Sequence, residues 1–289
     1  MAETDDNNST GVTISIQLYT LRNLPDSVPQ LVQRVGGVDN NGAPGYDAVE
    51  FAGLGDADPS EVATILDQND LSAPSAHIGF DPIENDFEAT VDAYSQVGCD
   101  TFIIPYIGPS QFSSREKVNE LAERLNSAAA RLEEEDIRLG YHNHNHEFQM
   151  LGDQTAYDVL VEATDDRVIL EVDVGWVLVA GYDPADLISR YSDRVELIHM
   201  KDMTGDNDQH AFAEIGEGDV DMREVAETAR NVADVDVLVY EHDQPDNPAS
   251  SASTGAGFLS LVDGSQNLEC IGISDIGGEN YDGDLSEST

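Results

Sequence analysis

Three of the chain's seven histidines, His142, His144 and His146, fall within one five-residue stretch of IRLGYHNHNHEF, Ile137 to Phe148. Glu147 follows directly. Imidazoles and carboxylates are the side chains that bind divalent metals and move protons near neutral pH. The run Ile137–Tyr141 alternates apolar and polar residues, so the cluster stands where a strand empties into a loop. Asp173, His199 and Glu241 stand at or just beyond the ends of later apolar segments, and Lys201 lies two residues past His199. Earlier segments end in Gln17 and Tyr19, Glu50, His77 and Tyr106. Each has a plainer reading as well. A His-rich turn can be solvated surface, and Asp173 can make an Asx-turn at the head of VDVGWV. His199 can be a core histidine, and Trp176, the only tryptophan, can stack on a sugar face or simply pack. Glu241 ends a strongly apolar run, where an unpaired carboxylate is costly.

The elements that must position these groups come from periodicity. Apolar or alternating runs predict eight strands: Val12–Tyr19, Tyr46–Phe51, Leu71–Ile78, Thr101–Tyr106, Ile137–Tyr141, Arg167–Val172, Val195–Met200 and Val235–Glu241. Between them lie helical patterns at Pro59–Asn69 behind Asp58, Phe87–Val97, Ser113–Glu135, Thr155–Ala163, Pro184–Tyr191 behind Asp183, and Asp221–Val232, with Ala249–Leu261 last. A further helical pattern runs to about Val35, and Gly36–Gly45 reads as a loop. Alternation of this kind predicts a closed (β/α)8 TIM barrel over residues 12–274, with a disordered acidic lead-in at 1–11 and an acidic tail at 275–289. In such a barrel every strand exit converges on one mouth, so all the residues above become neighbours. Carboxylates crowded there repel one another unless a divalent cation intervenes. Neither a G-x-G-x-x-G nor a P-loop follows the first strand, which weakens a nucleotide-binding reading.

Composition narrows the partners. The chain carries 58 Asp+Glu against 13 Lys+Arg, a formal net charge of −45. That field repels phosphates and excludes nucleic acid as a partner. Spread along the whole length, it fits a surface kept soluble by hydrated carboxylates in a salt-rich cytoplasm. Cys99 and Cys270 match no metal-ligand spacing and read as small buried side chains. No apolar run reaches the ~20 residues needed to span a bilayer, and the acidic N-terminus is unlike a signal peptide. A cytoplasmic protein acting on a small molecule is expected, and assembly into a homo-oligomer stays open.

Seven segments, SIQLYTLR (Ser15–Arg22), YDAVEFAGL (Tyr46–Leu54), LGYHNHNHEF (Leu139–Phe148), LEVDVGWV (Leu170–Val177), VELIHMKDM (Val195–Met203), EIGEGDVD (Glu214–Asp221) and LVYEHD (Leu238–Asp243), together resemble the sugar phosphate isomerase/epimerase family of xylose-isomerase-like TIM barrels. The resemblance is to an acidic, haloarchaeal-type member. It implies a divalent metal at the mouth, Mn2+ first and Mg2+, Co2+ or Zn2+ otherwise, held by Glu, Asp, His and Glu. Asp173, His199 and Glu241 match the last three. Glu147 is the expected first ligand, with His142 or His144 as fallback. Trp176 stands where the ketose 3-epimerases carry a substrate-binding histidine. The resemblance to endonuclease IV is confined to the scaffold. The implied activity is isomerisation or epimerisation of a sugar, sugar phosphate or polyol through an enediolate. Glu147 and Glu241 would exchange the proton, and Glu50, His77, His142, His144, Trp176 and Lys201 would hold substrate. An inosose-type dehydratase on the same metal, or a non-catalytic sugar-binding barrel, are the alternatives.

The acidic surface makes a first prediction. Lowering salt from molar to decimolar lengthens the Debye length from ~3 to ~10 Å, so repulsion between carboxylates grows. The melting temperature is expected to fall over that range of KCl, with partial rescue by divalent cations. A melting temperature that does not change would refute it.

Overall fold

The computed structural model describes residues 12–37, 45–205 and 211–262. The expected lead-in at 1–11, the tail at 275–289, most of the 36–45 loop, Cys270 and His210 lie outside them. Eight parallel strands close a barrel: β1 (Thr13–Gln17), β2 (Ala48–Phe51), β3 (Ser72–His77), β4 (Thr101–Ile104), β5 (Arg138–His142), β6 (Val168–Asp173), β7 (Val195–Met200) and β10 (Val237–Tyr240). Chain order is kept around the barrel, and β1 pairs with both β2 and β10. All eight fall where the sequence puts them. They are legible because a strand covered on both faces must be apolar almost throughout, as Val168–Asp173 is buried along its whole length.

The helices α1 (Val28–Gly36), α2 (Pro59–Gln68), α3 (Phe80–Asn85), α4 (Phe87–Gln96), α5 (Arg115–Glu133), α6 (Ala156–Ala163), α7 (Val174–Val179), α8 (Pro184–Arg190), α9 (Met222–Asn231) and α10 (Pro248–Val262) surround the barrel. Asp58 and Asp183 cap α2 and α8 as expected, taking N–H groups of Ser60 and Asp186. α5 buries Val118, Leu121, Leu125, Ala128 and Leu132, the face that its spacing marks. Two features go beyond the sequence reading. α7 is six residues of VGWVLV, too short and too uniformly apolar to show a period. An antiparallel hairpin, β8 (Asp202–Thr204) with β9 (Ala211–Ala213), extends from the end of β7, and its three-residue strands leave no pattern.

Alternation along each strand sorts the barrel's interior into layers. Ile103, Ile169, Leu197, Val237 and Val239 form an apolar plug of their own, separate from the larger core between sheet and helices. Toward the strand exits the same inward register turns polar, bringing in Glu50, His77, His142, Glu171, Asp173 and His199. Gly140 lies in the plug register, between Ile103 on β4 and Ile169 on β6. A Cβ there would stand 2.4 Å from Ile103 Cδ1 and 3.0 Å from Ile169 Cγ1. The missing side chain is what lets those isoleucines close the barrel floor.

Gly140→Ala should therefore overpack the plug and destabilise the fold by about 1–3 kcal/mol. A denaturant midpoint equal to that of the wild type would show that the floor is not tightly packed.

Candidate metal centre

The four strands β5, β6, β7 and β10, adjacent around the barrel, each end in one polar group at the mouth. β5 ends in His142, β6 in Asp173, β7 contributes His199, and Glu241 directly follows β10. One ligand-type atom from each lies within 4.8 Å of all the others. Asp173 serves two of the roles open to it in the sequence. Its Oδ1 caps α7 by accepting the Trp176 N–H at 3.0 Å, while Oδ2 faces the mouth, 2.8 Å from Lys201 Nζ and 3.5 Å from His142 Nε2. Its backbone is clamped by Asn143, whose side chain accepts the Asp173 N–H and donates to the Asp173 carbonyl. His199 is fully buried, yet it is not a bland core histidine. Its Nδ1 is 2.8 Å from Glu241 Oε2 and its Nε2 is 2.8 Å from Glu50 Oε1.

Beneath this set lies a second layer. Glu171, two residues before Asp173 on the same face of β6, turns Oε2 toward three imidazoles. His77 Nε2 stands at 2.8 Å, His142 Nδ1 at 2.9 Å and His199 Nε2 at 3.2 Å. Its other oxygen, Oε1, is buried without a hydrogen-bond partner. Glu50 accepts hydrogen bonds from Gln17 Nε2 at 2.6 Å and Ser75 Oγ at 2.5 Å.

The electrostatics follow from burial plus crowding. Desolvation pushes Asp173 up to about 6 against the pull of Lys201. Burial also works to raise Glu241, but Lys201 and His199 outweigh it and hold that carboxyl well below its usual range. Burial lowers His199, yet Glu171 and Glu50 carry it well above an ordinary imidazole. His142 is pushed far down by burial and by its imidazole neighbours. The Lys201 ammonium is buried, and Asp173, Glu241 and Asp243 together more than offset that cost. Four carboxylates, Glu50, Glu171, Asp173 and Glu241, are thus buried together, and the one lysine among them pairs with only Asp173 and Glu241 of the four. Buried charge of one sign needs a counter-charge. His199 stands between two carboxylates and satisfies both only as an imidazolium, with one N–H toward each. A divalent cation among His142, Asp173, His199 and Glu241 would supply the missing positive charge and replace the second proton of His199. A mixed N/O donor set suits Mn2+, Zn2+ or Co2+. The residues fit the ion.

The other expected residues divide. Glu50, His77 and His142 meet at the centre. Lys201 bridges Asp173 and Glu241 and is 3.2 Å from Asp243. His144 stacks on Trp176 at 5.4 Å and lines the mouth. Glu147, the expected first ligand and one of the expected proton carriers, is elsewhere. Its carboxylate accepts the Tyr141 hydroxyl at 2.7 Å and the His144 N–H at 3.1 Å, which ties down the β5 loop. It is absent from the clustered ligand atoms and from the cavity lining. The fallback, His142, holds the β5 place. Glu171 and Asp243 were passed over in the sequence. The signal for Glu171 was its parity: a carboxylate in step with Asp173 inside the apolar run VILEVD has to face the barrel interior.

Above the centre opens a cavity of about 480 Å³, lined by His77, His142, His144, Lys201, Glu241 and Asp243 and rimmed by Tyr19, Tyr106 and Phe212. Its second cation, Arg22, lies over the Tyr19 ring at 3.8 Å and donates to the carbonyls of Tyr19 and Asp243. Cys99 is buried and does not line this cavity, and burial pushes its thiol up to about 12, so it is the inert small side chain expected. Among the described residues no helix is long and apolar enough to cross a membrane.

Known proteins share this architecture. Residues 43–261 match the family model described as xylose isomerase-like TIM barrel. The chain is 28% identical over 185 residues to the inosose dehydratase of Geobacillus kaustophilus (strain HTA426), a match spanning 56% of this chain and 59% of that protein. It is similar to the crystal structure of a sugar phosphate isomerase/epimerase from Parabacteroides distasonis ATCC 8503, with TM-score 0.71 and 17% identity, covering 91% of this chain and 98% of the other. The IOLI protein, whose crystal structure holds a zinc atom, matches with TM-score 0.60 and 13% identity over 86% of this chain and 96% of its own.

The double role of Asp173 makes a sharp test. Asn caps helices as well as Asp does, so Asp173→Asn should keep the fold while Mn2+ affinity, measured by calorimetry, falls about a hundredfold or more. His199→Ala should do the same, exceeding the ~10–100-fold loss typical of groups outside the coordination sphere. Wild-type affinity in both folded variants would remove the assignment.

Proposed function

The chain belongs to the xylose isomerase-like TIM barrel family, and on that premise we propose that it is a divalent-metal-dependent dehydratase of an uncharged keto-polyol, of the inosose type. The observation that carries this is the state of the cavity's cations. Lys201 is already held by three carboxylates, and Arg22 is pinned over Tyr19 by two carbonyls. Among the described lining residues no other Lys or Arg is present. A phosphate or carboxylate entering here would meet Glu241 and Asp243 without a free counter-ion. A polyol meets hydrogen-bond partners on the floor and aromatic faces at the rim, which suit its C–H surface. Relatives named inosose dehydratase support the same reading.

His142, Asp173, His199 and Glu241 would hold the ion, with Mn2+ the first choice and Mg2+, Co2+ or Zn2+ the others. Once bound it supplies the positive charge that acidifies a C–H next to a ketone. Glu241 is the ligand carboxylate that also borders the cavity, and it is the base that takes that proton. His77, bonded to Glu171 and open to the cavity, is placed to give a proton to the β-hydroxyl, which leaves as water. Lys201, His144 and Trp176 orient the substrate's oxygens and ring face. We assign Glu147 to anchoring the β5 loop, given its two hydrogen bonds there. An isomerase or epimerase is the second reading, because it shares the first deprotonation and differs only in the fate of the enediolate. A cytoplasmic, salt-adapted enzyme accords with the net charge of −45.

Mn2+-loaded protein, offered inososes, ketoses and their phosphates in D2O, separates these readings by mass. A product lighter by one water, from the uncharged ketones alone, is expected. Deuterium gained at unchanged composition would replace the dehydratase with the isomerase. Turnover confined to phosphate esters would overturn the assignment of an uncharged substrate.

A further inference from the structure

Glu50 and Glu171 lie beneath the proposed ligands and touch two of them. We infer that these two carboxylates are positioning residues, which fix His142 and His199 in the tautomers that turn His142 Nε2 and His199 Nδ1 toward the cation. This rests on the reading of His142, Asp173, His199 and Glu241 as the metal site.

The argument begins with what a carboxylate can do. An ionised carboxylate only accepts hydrogen bonds, so an imidazole nitrogen held against it carries the hydrogen. His142 presents Nδ1 to Glu171 Oε2 at 2.9 Å. His199 presents Nε2 to Glu50 Oε1 at 2.8 Å and to Glu171 Oε2 at 3.2 Å. His199 also has Nδ1 against Glu241. An imidazole that binds the ion, however, is neutral with one N–H, and Glu50 and Glu171 together hold it on Nε2. In the loaded site the lone pairs therefore fall on the opposite nitrogens. Those face Asp173 at 3.5 Å and Glu241 at 2.8 Å, the two carboxylates that share the proposed ion. The rings also brace one another, with His142 edge-on to His199 at 4.6 Å and His77 stacked on His199 at 5.2 Å.

The lower carboxylates are themselves held. Glu50 is fixed by Gln17 and Ser75, two neutral donors from the neighbouring strands β1 and β3. Glu171 sits on rigid β6 and is held by His77 at 2.8 Å. A rival arrangement places the ion lower, among His77, His142, Glu171 and His199, whose ligand atoms also lie within 4.8 Å of one another. Both sets place two members at the cavity, His77 and His142 for the lower and His142 and Glu241 for the upper. The upper set is preferred because it brings two carboxylates, Asp173 and Glu241, to a divalent charge where the lower brings Glu171 alone.

The test uses full-length protein, Glu171→Leu, Glu171→Gln and Glu50→Gln, each checked for folding by circular dichroism. Calorimetry with Mn2+ gives affinity. Nitrogen-15 spectra of histidine-labelled, Zn2+-loaded protein give the tautomers. Wild type should show His142 with hydrogen on Nδ1 and His199 with hydrogen on Nε2. Glu171→Leu should lose about 10–100-fold in Mn2+ affinity and mix the tautomers at His142. Glu171→Gln, which keeps an acceptor oxygen, should lose less. Glu50→Gln should disturb the tautomer of His199 and leave that of His142 unchanged. If Glu171→Leu does not fold, Glu171→Ala, which also removes the acceptor, is read in the same way and carries the test. Unchanged affinity and tautomers in the Glu171 variants would overturn the inference and leave the metal site standing. Loss of all Mn2+ binding in Glu171→Gln, with Asp173→Asn still binding, would overturn it in favour of the lower site. A wild type that binds no Mn2+ would fell the parent reading, and this one with it.

Discussion

The structure depends on one constraint: carboxylates carried by β2, β6 and the exit of β10 are packed together at the barrel mouth with almost no exposure to solvent. Glu50, Glu171 and Asp173 are fully buried, and Glu241 is nearly so. Left alone, such groups would protonate or push the barrel apart. Each is therefore surrounded by donors on rigid elements. Asp173 is clamped through its backbone by Asn143, and Glu50 is held by Gln17 and Ser75. The apolar plug beneath gives the polar layer a fixed floor, and Gly140 is the vacancy that lets that floor pack. Site and scaffold are one arrangement read at two depths of the same barrel.

The segment after β7 shows how the surrounding loops are recruited. Asp202, next to Lys201, accepts the backbone N–H groups of Gly216, Gly218 and Val220 at 2.8, 3.0 and 3.3 Å. A Cβ on Gly218 would fall 2.1 Å from Asp202 Oδ1, so the EIGEGDVD turn needs a glycine there to come close enough. Gly175 plays the matching part on α7, where a Cβ would meet the Lys201 carbonyl at 2.8 Å. Both glycines let backbone approach the strand end that carries His199 and Lys201. The lysine's place is thus set from above and below, before any ligand arrives.

Much of this was legible in the sequence, and the failures have physical reasons. Parallel strands announce themselves because burial on both faces forces apolar runs, and α5 announces itself through its stripe. Asp173, His199 and Glu241 were legible because barrel exits converge, a property of the fold rather than of local spacing. Glu147 misled because sequence position shows only that a carboxylate is near an exit, not which way it turns. Three residues of 3-10 helix, His146–Phe148, carry it back under Tyr141. Glu171 was missed for the opposite reason. Inside a strand it reads as one polar residue in an apolar run, and only strand parity with Asp173 shows that it points inward. The β8–β9 hairpin and α7 are too short to leave a period at all.

The contrast between exterior and interior sets what each charge can contribute. On the outside, pairs such as Arg124 with Glu84 and Arg167 with Asp165 stand largely in solvent, where screening and side-chain entropy leave an ion pair little to contribute. These exposed pairs cannot account for the fold's stability, which comes from the apolar core between sheet and helices. Inside, the same chemistry is decisive, because each group there is both desolvated and geometrically fixed. Lys201 is held by Asp173, Glu241 and Asp243, which belong to the exits of β6 and β10 on either side of β7. Those exits cannot splay without separating the ammonium from its carboxylates. A cation shared by Asp173 and Glu241 would weaken two of the lysine's three contacts and leave the third, to Asp243, at the cavity wall. The lysine would then stay charge-paired to Asp243, with the N–H groups released from the other two carboxylates left for a hydroxyl rather than for an anion.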